Sequence, residues 1–362
     1  MDIAHKETDK IIAKIEKEIA AEYKQAHKEI SAKLNDYLRR FKIKDEKWRE
    51  WVKNGTRTRK EYLEWRKGQI LIGKRWMEMK ETLAADYANA YKIADSIAKG
   101  YRPDVYALNH NYATFQVEHD SLVDTSYTLY NREAVERMYR ENPKLYSSKM
   151  GKKVRNQIKE GKLKRWERRK IQSVLTQAVL QGESIPNITK RLEGLTAGDH
   201  KAAIRNARTM MTGVENAGRL DAYARAKSMG ISVMKQWVAT LDSRTRHWHR
   251  QLDGVRVEVE EPFENEKGEI MFPGDPDADG ANIYNCRCGL KGSIEGFETD
   301  TTDLNLRYDK NLEHMSYEEW KNDRKAKSNP ITLPEEKAKS IRASYVKAYK
   351  GDGSGMNRRK RR

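Results

Sequence analysis

Cys286 and Cys288, in Asn285-Cys286-Arg287-Cys288, are the only cysteines of this 362-residue chain. About forty positions upstream lies Asp242-Ser243-Arg244-Thr245-Arg246-His247-Trp248-His249, so both thiols and two of the eight histidines share one short stretch. Thiolate, imidazole and carboxylate are the donors of tetrahedral zinc, and Asp242, His249, Cys286 and Cys288 make a donor set of that kind. A helix starting near Ser243 would bring Asp242, Arg246 and His249 onto one face and turn His247 partly aside, which makes His249 the better ligand of the two histidines. The competing reading is a hydrogen-bonded Asp/Arg/His cluster beside two buried thiols, because Cys-x-Cys is a weaker signature than paired Cys-x-x-Cys knuckles. A disulfide within Cys-x-Cys would be strained.

Cys, His and Asp can also serve as nucleophile, base and orienter. Nothing nearby in the sequence supplies an oxyanion nest, and the chain reads as non-enzymatic. Asp275-Pro276-Asp277-Ala278-Asp279 alternates acids as calcium loops do, without the glycine and terminal glutamate at the spacing such loops need.

The elements that must position these residues are mostly helical. Ile12, Ile15, Ile19, Tyr23, Ala26, Ile30, Leu34, Tyr37 and Phe41 step by 3, 4 and 4, an eleven-residue period that predicts a nearly straight helix of about 45 Å. Asn54-Gly55 breaks it, and Trp76, Leu83, Tyr87, Ala90, Ala94 and Ile97 mark a second helix from about residue 60 to 99, closed at Gly100 and paired antiparallel with the first. Residues 101–148, punctuated by Pro103 and Pro143, read as irregular with short helices. Helices are expected over about 167–181, briefly near Ile188, and from Ala203 to Gly230, where Ala203, Ala207, Met210, Val214, Ala217, Leu220 and Ala224 keep helical spacing. Beyond Gly230 the texture changes: residues 233–240 and 255–259 have strand character, with a short helix from about Ser243 to Leu252 ended by Asp253-Gly254. The fold class is therefore mainly α with a small α+β C-terminal module on an extended multi-helix body. Mean hydropathy is −0.96, in keeping with long helices that have large solvated faces.

Charge points to the partner. The chain carries 72 Lys+Arg against 54 Asp+Glu, a net +18, which favours a polyanion. It is unevenly placed: residues 149–170 hold eleven Lys/Arg and two Glu, residues 258–279 hold nine Asp/Glu and one Lys, and Arg358-Arg359-Lys360-Arg361-Arg362 ends the chain. Lys152, Lys153, Arg155, Lys162, Lys164, Arg165, Arg168 and Arg169, with Arg358, Arg359, Lys360, Arg361 and Arg362, are the expected non-specific contacts to DNA phosphates. Trp166 reads as a buried anchor or as a ring stacking on a nucleotide. No signal peptide and no membrane span are expected, so the two cysteines are expected to stay reduced.

These blocks together carry a family resemblance. Arg205-Asn206-Ala207-Arg208-Thr209, Glu215-Asn216, Gly218-Arg219 and Gly230, then Trp237 to Asp242-Ser243-Arg244-Thr245-Arg246, His249, Leu252-Asp253-Gly254, Phe272-Pro273 and Asn285-Cys286-Arg287-Cys288, resemble the phage Mu F-like head morphogenesis family. The likeness covers about residues 165–295. It marks Trp237, Asp242, Arg244, Arg246, His249, Gly254, Asn285, Cys286, Arg287 and Cys288 as a structural motif. It also implies a minor head (minor capsid) protein of a tailed phage or prophage, located in the capsid interior and, during assembly, in the host cytoplasm. The implied partners are the portal protein, the major capsid or scaffold protein, and double-stranded DNA.

The expected organisation follows. Residues 1–100 form a long amphipathic helical region for portal or capsid docking, 101–164 a mixed linker with the basic segment, and 165–295 the Mu F-like domain, helical over 165–230 and α+β over 231–295. Residues 296–350 are a C-terminal extension and 351–362 a basic tail, disordered unless bound. The alternatives are a metal-dependent hydrolase or toxin-like transferase carrying such a module, and a non-specific DNA-condensing protein.

Overall fold

The computed structural model describes residues 2–69, 74–141, 162–180, 183, 185–297 and 307–327. Helix α1 (Ile3–Lys53) buries the expected stripe through Ile15, Ile19, Tyr23, Ala26, Ile30 and Phe41. The side chains of Leu34 and Tyr37 lie outside the described set. At 51 residues α1 is about 76 Å long, well beyond the expected length. Gly55, at φ +76°, reverses the chain, and Thr58 with Glu61 forms a capping box for α2 (Arg59–Lys67).

Helix α3 (Lys74–Ser121) is antiparallel to α1, as the hydrogen bonds Asn109 to Thr8, Tyr101 to Glu18 and Lys33 to Asp86 require. The expected stop at Gly100 does not occur, and the helix continues through Pro103. An internal proline costs about 3 kcal/mol. The turns beyond it bury Val105, Tyr106, Asn109, His110 and Ala113, and that packing outweighs the lost hydrogen bond. So the first twenty or so residues of the segment read as irregular are helical, followed by β1 (Val123–Asp124) and α4 (Arg132–Glu141).

Helix α5 (Lys162–Leu180) leads to α6 (Ile185–Ser228), one continuous helix of 44 residues in place of the two expected. It is antiparallel to α1, through Ser31 to Glu193 and Arg208 to Glu16. It is parallel to α3, through Tyr87 to the Leu192 carbonyl, Asn206 to Tyr91 and Tyr106 to Asp221. The body is thus built on three long helices, with α1 opposed to the other two.

One end of α1 is held by charge. The Asp2 carboxylate caps the helix on His5 N (2.9 Å) and accepts both terminal nitrogens of Arg219 on α6 (2.6 and 2.8 Å), while His5 Nδ1 lies 2.7 Å from Glu215. Burial opposes both charges, but Arg219 and the His5 amide pull the Asp2 carboxyl below its usual 3.8. Burial likewise lowers the His5 imidazole, and Glu215, with a smaller push from Asp9, raises it above its usual 6.5. A depressed acid stabilises above 3.8 and loses that contribution as pH falls through its folded value; a raised histidine stabilises below 6.5 and loses it as pH rises through its folded value. The stability advantage of wild type over His5→Gln is therefore expected to shrink from pH 6 to 8, as read by urea unfolding of both across pH. Identical slopes would remove His5 from this role.

The C-terminal module contains, in order, β2 (Ile231–Val238), α7 (His247–Arg250), β3 (Arg256–Glu258), β4 (Phe263–Asn265), β5 (Gly268–Ile270), α8 (Gly280–Ile283) and β6 (Gly289–Phe297). The sheet order is β3-β2-β6, all antiparallel, with β4 and β5 as a separate hairpin. On β2 alternate residues Ile231, Val233, Lys235 and Trp237 are buried in the core they share with Tyr223, Phe263 and Leu290. Lys235 is the surprise on that face: its Nζ donates to the Met271 carbonyl (3.0 Å), and burial pulls it down to about 8.

After residue 306 the chain returns to the body. Strand β7 (Arg307–Tyr308) pairs with β1, and a short turn at Lys310–His314 precedes α9 (Tyr317–Lys327). There Trp320 Nε1 and Arg324 Nη2 donate to the buried Glu118 carboxylate at 2.6 and 2.7 Å. No helix among the described residues is long and apolar enough to cross a membrane.

Candidate functional site: a buried thiol and imidazole cluster beside a basic cleft

The loop after β2 is ordered by its own polar groups. Asp242 accepts from Arg244 N (2.9 Å) and Thr245 Oγ1 (3.1 Å), and Arg250 donates to the Asp242 carbonyl. Only His247–Arg250 is helical, so the expected helix from Ser243 is a loop plus one turn. Gly254, at φ +78°, closes the excursion as its N–H donates to the Trp237 carbonyl at 2.9 Å.

That local geometry separates Asp242 from His249. Asp242 takes a two-pronged bond from Arg287, at 2.5 and 2.7 Å, and this guanidinium holds its carboxyl well below the usual range. His249 turns inward: its Nδ1 lies 3.6 Å from Cys286 Sγ and 3.7 Å from Cys288 Sγ. All three are buried, at 1%, 2% and 2% exposure. Among the described residues these three form the one group of His, Cys, Asp and Glu ligand atoms lying within 4.8 Å of one another; Asp242 is outside it. His247 is exposed and paired with Glu266.

Helix α6 positions the Cys-x-Cys. Thr212 Oγ1 donates to the Cys286 carbonyl (2.8 Å), and Asn216 Nδ2 reaches the carbonyls of Thr212, Pro273 and Cys288 (2.9, 3.1 and 3.2 Å) while its Oδ1 accepts Leu290 N (2.7 Å). Asn285 sits at φ +54° with its N–H on Thr209 Oγ1. Trp237 packs edge-on to His249, with ring centroids 5.2 Å apart. A hydrogen bond donated by Cys286 to Cys288, with His249 adjacent, draws the Cys288 thiol below its ordinary value, whereas that donation and burial push Cys286 up. Thr212 and Asn216 were absent from the expected site, although Asn216 was among the motif residues carrying the resemblance.

Beside this cluster opens a cleft of about 620 Å³ between α1, α6 and the module. Lys201, Arg205, Arg208, Arg244, Arg246 and Arg287 line it, with Asp9 and Glu215 as its acids. Arg208 pairs with Glu16, Arg246 donates to the Tyr284 carbonyl, and Arg244 is 74% exposed. Of the basic residues expected to touch DNA, Lys152, Lys153, Arg155 and Arg358 to Arg362 lie outside the described residues, and the side chains of Lys162 and Lys164 do too. Arg165 and Arg169 are exposed on α5, and Arg168 pairs with Glu81 at 2.8 Å. Trp166 is 52% exposed with Lys170 stacked on it, so it is no buried anchor.

Helix α6 thus supplies Thr209, Thr212, Asn216 and Arg219 to a three-stranded module whose last strand follows the Cys-x-Cys, and the sequence that builds it has relatives. Residues 169–291 match the family described as Phage Mu protein F like protein, so the chain carries a Mu F-like domain. Along most of its length it is similar to the minor head protein GP7 of Bacillus phage SPP1, 24% identical over 323 residues, covering 88% of this chain and 95% of GP7. It also resembles the NAD(+)--arginine ADP-ribosyltransferase EFV of Enterococcus faecalis, 32% identical over 154 residues, and the uncharacterised protein YqbB of Bacillus subtilis, 27% identical over 129. The matched part spans 30% of EFV and 41% of YqbB. No solved structure matches the chain.

Proposed function

We propose that this chain is a non-enzymatic minor head protein of a tailed phage or prophage, acting in head morphogenesis at the portal and capsid interior and touching packaged DNA. The observation that carries the reading is the similarity to GP7, which extends over 95% of that protein rather than over one module. The match to EFV covers 30% of the transferase, so the activity in its name stays with that protein. Expressed with the portal and coat proteins of its own phage, the chain is expected to co-sediment with assembled shells. A chain left wholly at the top of the gradient would sink this reading.

The basic cleft supports the DNA contact, because the exposed Lys201, Arg205 and Arg244 that line it can neutralise phosphates without reading bases, while Arg208 and Arg287 are held by Glu16 and Asp242. Filter binding of double-stranded DNA is expected to weaken with salt, with a log–log slope of about −0.9 per neutralised phosphate. Combined Lys201→Ala, Arg205→Ala and Arg244→Ala is expected to flatten that slope by roughly 2–3, while removal of Arg358–Arg362 reports the tail separately. An unchanged slope in the triple variant would take the cleft out of the DNA contact.

A further inference from the structure

We propose that His249, Cys286 and Cys288 are the protein ligands of a zinc ion that clasps the start of β6 to α7. The spacing carries most of the weight. In a tetrahedral site with Zn–N of about 2.0–2.1 Å and Zn–S of about 2.3 Å, nitrogen and sulfur stand about 3.5–3.6 Å apart. The two observed separations are 3.6 and 3.7 Å, nearly equal. Hydrogen bonding would reach both sulfurs only by splitting the single proton or lone pair of Nδ1 into a weaker three-centre contact. A shared central ion accounts for both distances.

The chemistry of the donors agrees. Two thiols and an imidazole suit zinc and exclude magnesium and calcium, which take oxygen ligands. His249 Nε2 is buried with no partner in the protein, so the polar contacts of this imidazole are those of Nδ1 with the two sulfurs. The ligands are held before any ion arrives: Thr212 fixes the Cys286 carbonyl, Asn216 reaches that of Cys288, and Trp237 backs the imidazole. Asp242 is committed to Arg287 and supplies no fourth ligand. Cys286 lines the basic cleft, from which a water molecule or small anion completes the tetrahedron.

The clasp would join two segments about forty residues apart at the junction of sheet and helix, and it is independent of any DNA or portal contact. The full chain, purified under reducing conditions without chelator, should carry about one zinc per molecule by elemental analysis. Stripped and reloaded with cobalt(II), it should show thiolate-to-cobalt charge transfer and the visible bands of a tetrahedral site. Cys286→Ser with Cys288→Ser should lose both signals, and His247→Ala and Asp242→Asn should keep them. Wild-type protein that holds no zinc and gives no cobalt bands overturns the proposal, as do bands that persist in the double serine variant. Because the cobalt spectrum is read on wild type, the test remains decisive even where the serine variants fail to fold.

Discussion

Arg219→Ala is expected to lower the free energy of unfolding by about 3–5 kcal/mol, the range for breaking a buried ion pair from one side. Arg219 is 1% exposed and spends every nitrogen: Nη1 and Nη2 on Asp2, Nη1 also on the Leu290 carbonyl (3.0 Å), Nε on Asn109 Oδ1 (3.0 Å), and Nη2 near Glu215 (3.3 Å). One side chain on α6 thereby connects the N-cap of α1, the C-terminal part of α3 and the start of β6. Truncation would strip the Asp2 carboxylate of its guanidinium partner and leave the buried Glu215 with His5 alone. Burial resists the Arg219 charge, but Asp2 and Glu215 together raise the guanidinium above its ordinary range, so it stays protonated at any working pH. Urea unfolding followed by far-UV circular dichroism measures the loss. Arg244→Ala, at an exposed position, is the matched control and should shift stability by less than about 0.5 kcal/mol. A loss under about 1 kcal/mol for Arg219→Ala would mean that α1 does not dock through this cluster.

Legibility from sequence divided along the range of the interactions. The stripe on α1 could be read because Ile15, Ile19 and Ile30 repeat locally, and repetition survives without knowing the partner helix. The run of α3 through Gly100 and Pro103 could not, since local preference says stop and the compensating burial of Val105 and Tyr106 comes from α6 and α4. Buried charge was equally silent. Glu118 waits for Trp320 and Arg324 about two hundred positions away, and Lys235 sits on a core face because a carbonyl and an aromatic ring happen to meet it there. The site itself split in the same manner. Convergence of His249 with Cys286 and Cys288 followed from residue type and rarity. A shared helical face would have drawn Asp242 into the set, but only the four residues His247–Arg250 are helical, so no such face exists. Arg287, legible only as part of the motif, is the partner that takes Asp242 away.

The second large effect is expected at Gly274, where two backbones touch. Gly274 has φ +80°, and a Cβ there would stand 2.6 Å from Gly213 N, 2.9 Å from its Cα and 3.1 Å from the Thr212 carbonyl carbon. Reciprocally, a Cβ on Gly213 would lie 2.6 Å from the Gly274 carbonyl oxygen. These are main-chain atoms of a helix, and no rotamer change can relieve the overlap. Gly274→Ala must lift the loop around Pro273 off α6, and the Asn216 bond to the Pro273 carbonyl lifts with it. Left-handed backbone costs a residue with a Cβ about 1–2 kcal/mol, and overpacking adds about 1–3, so a loss of about 2–5 kcal/mol is expected. Gly55→Ala separates the two contributions, because Gly55 has nearly the same φ, +76°, and nothing within 4 Å of its added Cβ. The difference between the two variants in chemical unfolding should therefore report the backbone contact alone. Equal losses at Gly274 and Gly55 would mean that the module does not rest on α6 at this point, and that Thr212 and Asn216 hold Cys286 and Cys288 without help from the loop.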